Sequence, residues 1–210
     1  MLFFAIFAFA SLIAGAALDV LPEGMTIRSS LPDNYTISDI TWTMPIVEGG
    51  QNYTFKGTVQ EVFTQVNNLR VQQNLQPLPD PLAKFNTTSI PADVSSRSFA
   101  KTICKVGLKD YTPLVRVQQG IEYLKDLKGT CTNGAGPGNC GRISCSWTAA
   151  IYWCNDNDHP VTYDCSHFAE TAQHVLSDCH YTFNGGKTIY TWGQAFDTES
   201  FNVLVGADNC

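Results

Sequence analysis

The chain has no cysteine before Cys104, no cluster of Lys or Arg, and no long apolar run after its first twenty positions. Each absence closes off a class of function. With 13 Lys and Arg against 19 Asp and Glu, the net charge is −6, and the acids are scattered rather than blocked. Nucleic acid is recognised first through its phosphates, which calls for a basic stripe, and an anionic membrane surface calls for a basic cluster. Neither partner is expected here. A membrane-spanning helix needs about 20 apolar residues, so stable insertion is not expected either. There is also no Gly-x-Ser-x-Gly elbow and no His-Glu-x-x-His metalloprotease motif.

The one long apolar stretch, Leu2 to Ala14, opens the chain, and no charged residue precedes Asp19. Small residues follow at Gly15, Ala16 and Ala17. An apolar core of this length ending in small residues reads as a cleaved signal peptide over residues 1–17, which puts the protein outside the cell. Three Asn-x-Thr sequons, at Asn34, Asn52 and Asn86, agree with passage through the secretory route and are candidate glycosylation sites.

All eight cysteines, Cys104, Cys131, Cys140, Cys145, Cys154, Cys165, Cys179 and Cys210, lie in the second half. An even set in a secreted chain reads as four disulfides, whose connectivity sequence alone does not fix. Cysteine usage therefore divides the mature chain. Residues 18–75 form a smaller cysteine-free α/β region. It has strands at Ile40 to Trp42 and Tyr53 to Lys56, then a helix from Thr58 to Leu69 with a Thr58/Glu61 capping box. Residues 76–98, rich in Pro, Ser and Thr, read as a linker. Arg97, near its end, offers a protease site, so the first region could be a removable pro-segment.

Residues 99–210 form the disulfide-stapled α+β domain. Its expected order is β-α-β-β-α-β-β: strand Lys101 to Val106, a helix opened by Pro113, strands Gly141 to Trp147 and Ala149 to Asn155, a helix over 165–179, and a closing hairpin of Thr188 to Phe196 with Phe201 to Val205. The Gly-rich segment from Cys131 to Cys140 reads as a loop. An antiparallel sheet with two helices on one face buries both helix stripes. Ala149 to Trp153, apolar throughout, fits a central strand covered on both faces. The expected ties join the first strand to the second helix, Cys104 with Cys179, and the middle strand to the carboxyl end, Cys154 with Cys210.

Several groups could carry chemistry. His167, Glu170 and His174 fall on one helix face as a metal triad would. The apolar residues Phe168, Ala172, Val175 and Leu176 claim the other face, so the His/Glu face reads as solvated and no metal is expected. A Cys154/His159 nucleophilic pair needs a free thiolate, which an even cysteine set does not leave. The carboxylate pairs Asp156/Asp158 and Asp197/Glu199 could serve a wall hydrolase or hold calcium, but both sit among turn formers and read as Asx-turns and caps. Strand aromatics Tyr152, Trp153, Tyr190 and Trp192 could expose a flat binding surface for a sugar or a protein if alternate rings face outward.

The stretches "GIEYLKDLKGTCTNGAGPGNCGRISCSWTAAIYWCNDN" and "WGQAFDTESFNVLVGADNC" resemble a family of small secreted cysteine-rich proteins of filamentous fungi, and "ITWTMPIVEGGQNYTFKGTVQEVF" resembles the amino-terminal part of its longer members. Cys165 stands outside that pattern. Many such proteins are candidate effectors, made by plant pathogens and acting on host tissue. The element order also resembles the α/β sandwich of fungal killer toxins and necrosis-inducing effectors, a likeness of topology that carries no residue roles. The missing catalytic motif beside a complete disulfide set points to a non-enzymatic secreted binding protein, of virulence type as the resemblance implies. It would need no cofactor, and its target is an unknown host protein or wall glycan. The alternatives are an antimicrobial toxin disturbing membranes or ion channels, and a polysaccharide hydrolase.

Overall fold

Two segments, Ala149–Asn155 and Phe201–Ala207, are buried at every residue, and the architecture follows from what covers them. The computed structural model describes residues 31, 35–83, 85, 98–108 and 110–210. The signal segment 1–17, Asn34, Asn86 and Arg97 lie outside these. In chain order the elements are β1 (Thr36–Ile37), β2 (Thr41–Pro45), β3 (Asn52–Lys56), α1 (Val59–Gln72), β4 (Phe99–Cys104), β5 (Thr112–Pro113), α2 (Leu114–Asp126), β6 (Thr130–Asn133), β7 (Asn139–Ser146), β8 (Ala149–Asn155), β9 (Val161–Asp164), α3 (Cys165–Asp178), β10 (His180–Phe183), β11 (Thr188–Thr191), β12 (Gly193–Asp197) and β13 (Phe201–Ala207). The described chain is thus α+β, with three helices, mostly antiparallel sheets and four disulfides.

The largest sheet runs β1-β7-β8-β13-β12-β4, antiparallel except where β1 joins β7. Because side chains alternate along a strand, β8 sends Ile151 and Trp153 to one face and Ala150 and Tyr152 to the other. The first face meets all three helices in one core with Val59, Val62, Val117, Ile121, Phe168 and Leu176. Trp153, fully buried, stacks on Phe168 with ring centroids 4.1 Å apart. The second face carries a smaller cluster of Leu31, Leu108, Ala150, Tyr152 and Leu204 around the Cys140–Cys154 disulfide. With both faces covered, β8 and β13 have no polar side to show, which explains the uniform apolar run.

The change in cysteine usage near residue 98 is not a packing boundary. β2 pairs with β6 inside a four-stranded sheet β3-β2-β6-β9, and Trp42, fully buried, belongs to the same core as α2 and α3. α1 packs on α2 and β7. At its start Glu61 accepts the Thr58 backbone N–H at 2.7 Å, the return arm of a capping box. β2, β3 and α1 thus form one wall of this core.

Several strands are new relative to the sequence reading. The segment from Cys131 to Cys140 is not all loop, since β6 and β7 reach into it from both sides. The single strand expected over Thr188 to Phe196 is two: β11 joins β10 and β5 in a third sheet, while β12 joins the large one, with the break at Trp192. Strands of two to four residues are too short for an alternation to register.

Candidate functional site

The eight cysteines form four disulfides, with no free cysteine among the described residues. Cys104 pairs with Cys179 as expected. Cys154 does not reach Cys210: it pairs with Cys140, its direct partner across the β7–β8 ladder, while Cys145 takes Cys210 and Cys131 takes Cys165. A cross-strand neighbour lies closer than a chain end, and that decides the pairing. Cys154 is therefore no nucleophile for His159.

The helix triad does not assemble. Glu170 is exposed, but His174 is buried, its ring stacked on Phe99 of β4 at 3.8 Å. The supposed solvent face of α3 is covered by an edge strand, which helical periodicity does not reveal. His167 turns instead to Asp197, its Nε2 lying 3.3 Å from Asp197 Oδ2 and 3.3 Å from Ser98 Oγ. Ser98 Oγ donates to the same carboxylate oxygen at 2.7 Å. These are the residue types of a hydrolytic triad in a different wiring. In a triad the serine gives its proton to one imidazole nitrogen and the acid orients the other. Here serine and acid share one nitrogen, and the serine proton points at the acid. The group clasps the start of β4 to the end of β12, helped by Thr198 N–H donating to the Ser98 carbonyl at 2.7 Å.

Asp156, Asp197 and Glu199 are committed to the fold as well, whereas Asp158 is not. Asp156 accepts from Gly138 N–H at 3.1 Å and from Asn202 Nδ2 at 2.6 Å. Asp197 Oδ1 accepts the Glu199 N–H at 2.9 Å, an Asx-turn. Glu199 bonds the Tyr163 hydroxyl, and burial together with that carboxylate pushes Tyr163 up to about 12. Asp158 is exposed beside His159 at 2.8 Å, and the hydrogen bond from that imidazole holds its carboxyl below the ordinary range. Among the described residues no three His, Cys, Asp or Glu side chains gather as a metal site would require.

The aromatic platform needs correction. Tyr152, Trp153 and Tyr190 are buried, and only Trp192 is half-exposed. Tyr152 donates its hydroxyl to Asp208, and burial, that contact and the Asp208 charge push its pKa far above the usual phenol range. The reason is the sheet's double cover: alternate rings have no open face to point toward. Asn52 is exposed at the start of β3, with Thr54 exposed two residues on, so this sequon lies on an open strand edge.

What the fold assembles instead lies at its surface. Residues 37–40, the β3–α1 corner and β7 enclose an open groove of about 900 Å³ whose lining includes Asp39, Gln60, Gln65, Lys56 and Arg142. A second assembly sits at one end of the large sheet. The pairings Cys104 with Gly193, Gly193 with Val205, and both Ala207 and Ser146 with Ala149 bring the end of β4, the start of β12, the end of β13 and the β7–β8 turn together. Here Tyr111 meets Tyr181, Phe183 and Trp192 edge-on at 4.9, 5.7 and 5.1 Å. The Lys105 ammonium lies 4.9 Å from the Tyr181 ring centroid, and the Arg116 guanidinium lies 5.0 Å from that of Trp147. Trp147 is 55% exposed. Of these residues sequence reasoning reached Trp192 alone, because the others lie apart along the chain and only the tertiary fold brings them together. None of the protein-family models, curated proteins or solved structures compared with this chain matches it.

Proposed function

We propose that this chain is a secreted, disulfide-pinned protein that acts outside the cell by binding, in the manner of an effector or virulence factor, and performs no catalysis of its own. On this reading residues 1–17 are removed on export, Asn52 carries a glycan, and the fold works as a protease-resistant carrier for a recognition surface. One observation carries the proposal. The groups that could do chemistry are tied into the fold, Asp156 and Asp197 by hydrogen bonds and all eight cysteines by pairing, while an exposed tryptophan and two ring-bound cations occupy one end of the sheet. Aromatic and Arg side chains are the types that dominate binding energy in interfaces.

The test is to express the full chain in a eukaryotic secretory host, determine the intact mass of the exported protein, and infiltrate it into leaves. The expected product begins near residue 18, lacks eight hydrogens relative to the reduced chain, carries hexosamine-based mass, and provokes a host response. A thiol-bearing product retained in the cells refutes the extracellular reading, and silence across many plant genotypes refutes the effector role.

A further inference from the structure

Backbone strain singles out the aromatic end of the sheet. Among the described residues five that are not glycine have positive φ: Asn74, Lys105, Trp147, Thr148 and Ser200. Three of them lie at this end, and two are the cation and the indole just described. Trp147 (φ 50°) and Thr148 (φ 67°) are the two central residues of the β7–β8 turn. A two-residue hairpin that needs positive φ at both positions normally takes Asn-Gly, and a β-branched residue there is an outlier. Strain of this kind persists where the surroundings over-determine it, and it concentrates at ligand contacts. The surroundings do over-determine it. The Thr148 carbonyl accepts from Asp208 N–H at 3.1 Å and from Thr112 Oγ1 at 3.2 Å, and the Cys145–Cys210 disulfide closes one residue before the turn. The Cys104–Cys179 disulfide likewise joins the residue before Lys105 to the residue that precedes the strand bearing Tyr181.

We infer that this end is a docking surface for an acidic, uronate-bearing polysaccharide, an inference that rests on the binding-protein reading above. Ring faces pack against the C–H faces of pyranose units, and Lys105 and Arg116, each held beside a ring, meet the carboxylates. The charge here is set against that of the rest of the chain. Of the described acids at this end, Asp110 and Asp208 are buried and bonded inward, Asp110 Oδ1 to Tyr111 N–H at 2.8 Å and Asp208 to Tyr152 and Arg142, leaving Asp178 exposed behind Cys104. The opposite end carries Asp156, Asp158, Asp197 and Glu199. A membrane seat fits less well, because insertion needs a contiguous exposed apolar surface, and Trp147 is the one ring here that is more than half exposed.

The experiment uses the full-length secreted protein and measures retention on immobilised polygalacturonate, on neutral chitin and cellulose, and on phosphatidylserine vesicles. Expected are binding to polygalacturonate that weakens steeply with salt, a loss of about tenfold or more in Trp147→Ala, and a weaker, flatter salt dependence in the Lys105→Gln/Arg116→Gln double variant. Asp158→Asn at the far end is the control. Trp147→Asn separates binding from folding: Asn tolerates positive φ, so this variant unfolds at equal or higher denaturant while losing affinity. Equal retention on neutral polymers, or on vesicles alone, overturns the inference. Retention on no polysaccharide with an intact leaf response overturns the ligand class but leaves the binding-protein reading standing. Loss of both retention and leaf response removes the two together.

Discussion

Asn133 offers the sharpest test of how this fold is joined. Its side chain is fully buried where the four-stranded sheet, β7 and β8 converge, and all four of its hydrogen-bonding positions are used. The amide donates to the Asn139 carbonyl at 2.9 Å and to the Trp153 carbonyl at 3.1 Å, and Oδ1 accepts from Gly134 N–H at 2.9 Å and, at 3.0 Å, from a Ser38 hydroxyl that it shares with Asn139 Oδ1 at 2.7 Å. Asn133→Ala removes four partners at once. Since a net hydrogen bond contributes about 1 kcal/mol and a stranded buried group costs more, the expected loss is about 3 kcal/mol. Asn133→Asp is isosteric and more informative. It turns two donors into acceptors aimed at carbonyl oxygens, so the buried carboxyl is driven toward its neutral form, and its folded pKa rises above the unfolded value of about 3.9. A raised folded pKa means that the protonated acid is tolerated below the unfolded pKa and that stability falls as pH rises through the folded one. The variant should therefore lie within about 2 kcal/mol of wild type at pH 3.5 and lose about 4 kcal/mol or more at pH 7.5, read as urea midpoints by near-ultraviolet dichroism. A variant equally stable at both pH values, or one matching wild type at pH 7.5, would refute the assignment of Asn133 as a saturated joint.

Other outcomes follow from the same fold. Trp153→Ala empties the space against Phe168 and should cost about 3–5 kcal/mol in denaturant unfolding. Replacing the Cys104–Cys179 pair by serines opens a separation of 75 residues and should cost about 4.5 kcal/mol, against about 3 kcal/mol for Cys140–Cys154 with its separation of 14, by the chain-entropy relation; equal losses would discount that relation here. Tyr163 should ionise at about 12 by absorbance at 295 nm, and Glu199→Gln should bring it down toward the ordinary 10.0. Cleavage after Arg97 should leave both fragments bound on a native gel yet separate without reductant in detergent, because every disulfide lies beyond the cut and β2 remains paired to β6.

Legibility in the sequence followed the length of the signal. The apolar stripes of α2 and α3, the uniform run of β8 and the Thr58/Glu61 cap extend over enough residues, or are specific enough, to be read directly. Even cysteine number announced four disulfides, but partner choice depends on register, and Cys140 meets Cys154 only because the register shifts by one residue between Arg142 and Ser144 beyond the two-residue β7–β8 turn. His174 failed for a related reason: helical periodicity says which residues share a face, not what covers that face, and the cover is Phe99, 75 positions earlier. The aromatic end was invisible because its members alternate with nothing. Lys105, Tyr111, Arg116, Trp147 and Tyr181 lie in two loops, a helix, a turn and a short strand, and only the tertiary fold gathers them.

The two ends of the large sheet are held by different means, and the difference bears on function. At the acidic end the backbone is fixed by a saturated amide and carboxylate network: Asn133, Asn155, Asp156, Asn202 and Asp197 are each bonded to two or more partners. Such a network specifies a conformation but tolerates little outward-facing variation, because each lost partner strands another. At the aromatic end two disulfides flank residues held at positive φ. A cross-link acts chiefly on the unfolded chain, so it can keep a turn in place whatever side chain the turn presents. A surface that must carry an unfavourable Trp-Thr turn, and keep its rings rigid enough that binding costs little ordering entropy, is better secured by covalent ties than by polar bonds. Reduction should on this reasoning free the aromatic end first, with loss of ligand retention preceding loss of the helical signal; simultaneous loss of both would mean that the cross-links support the core rather than the surface.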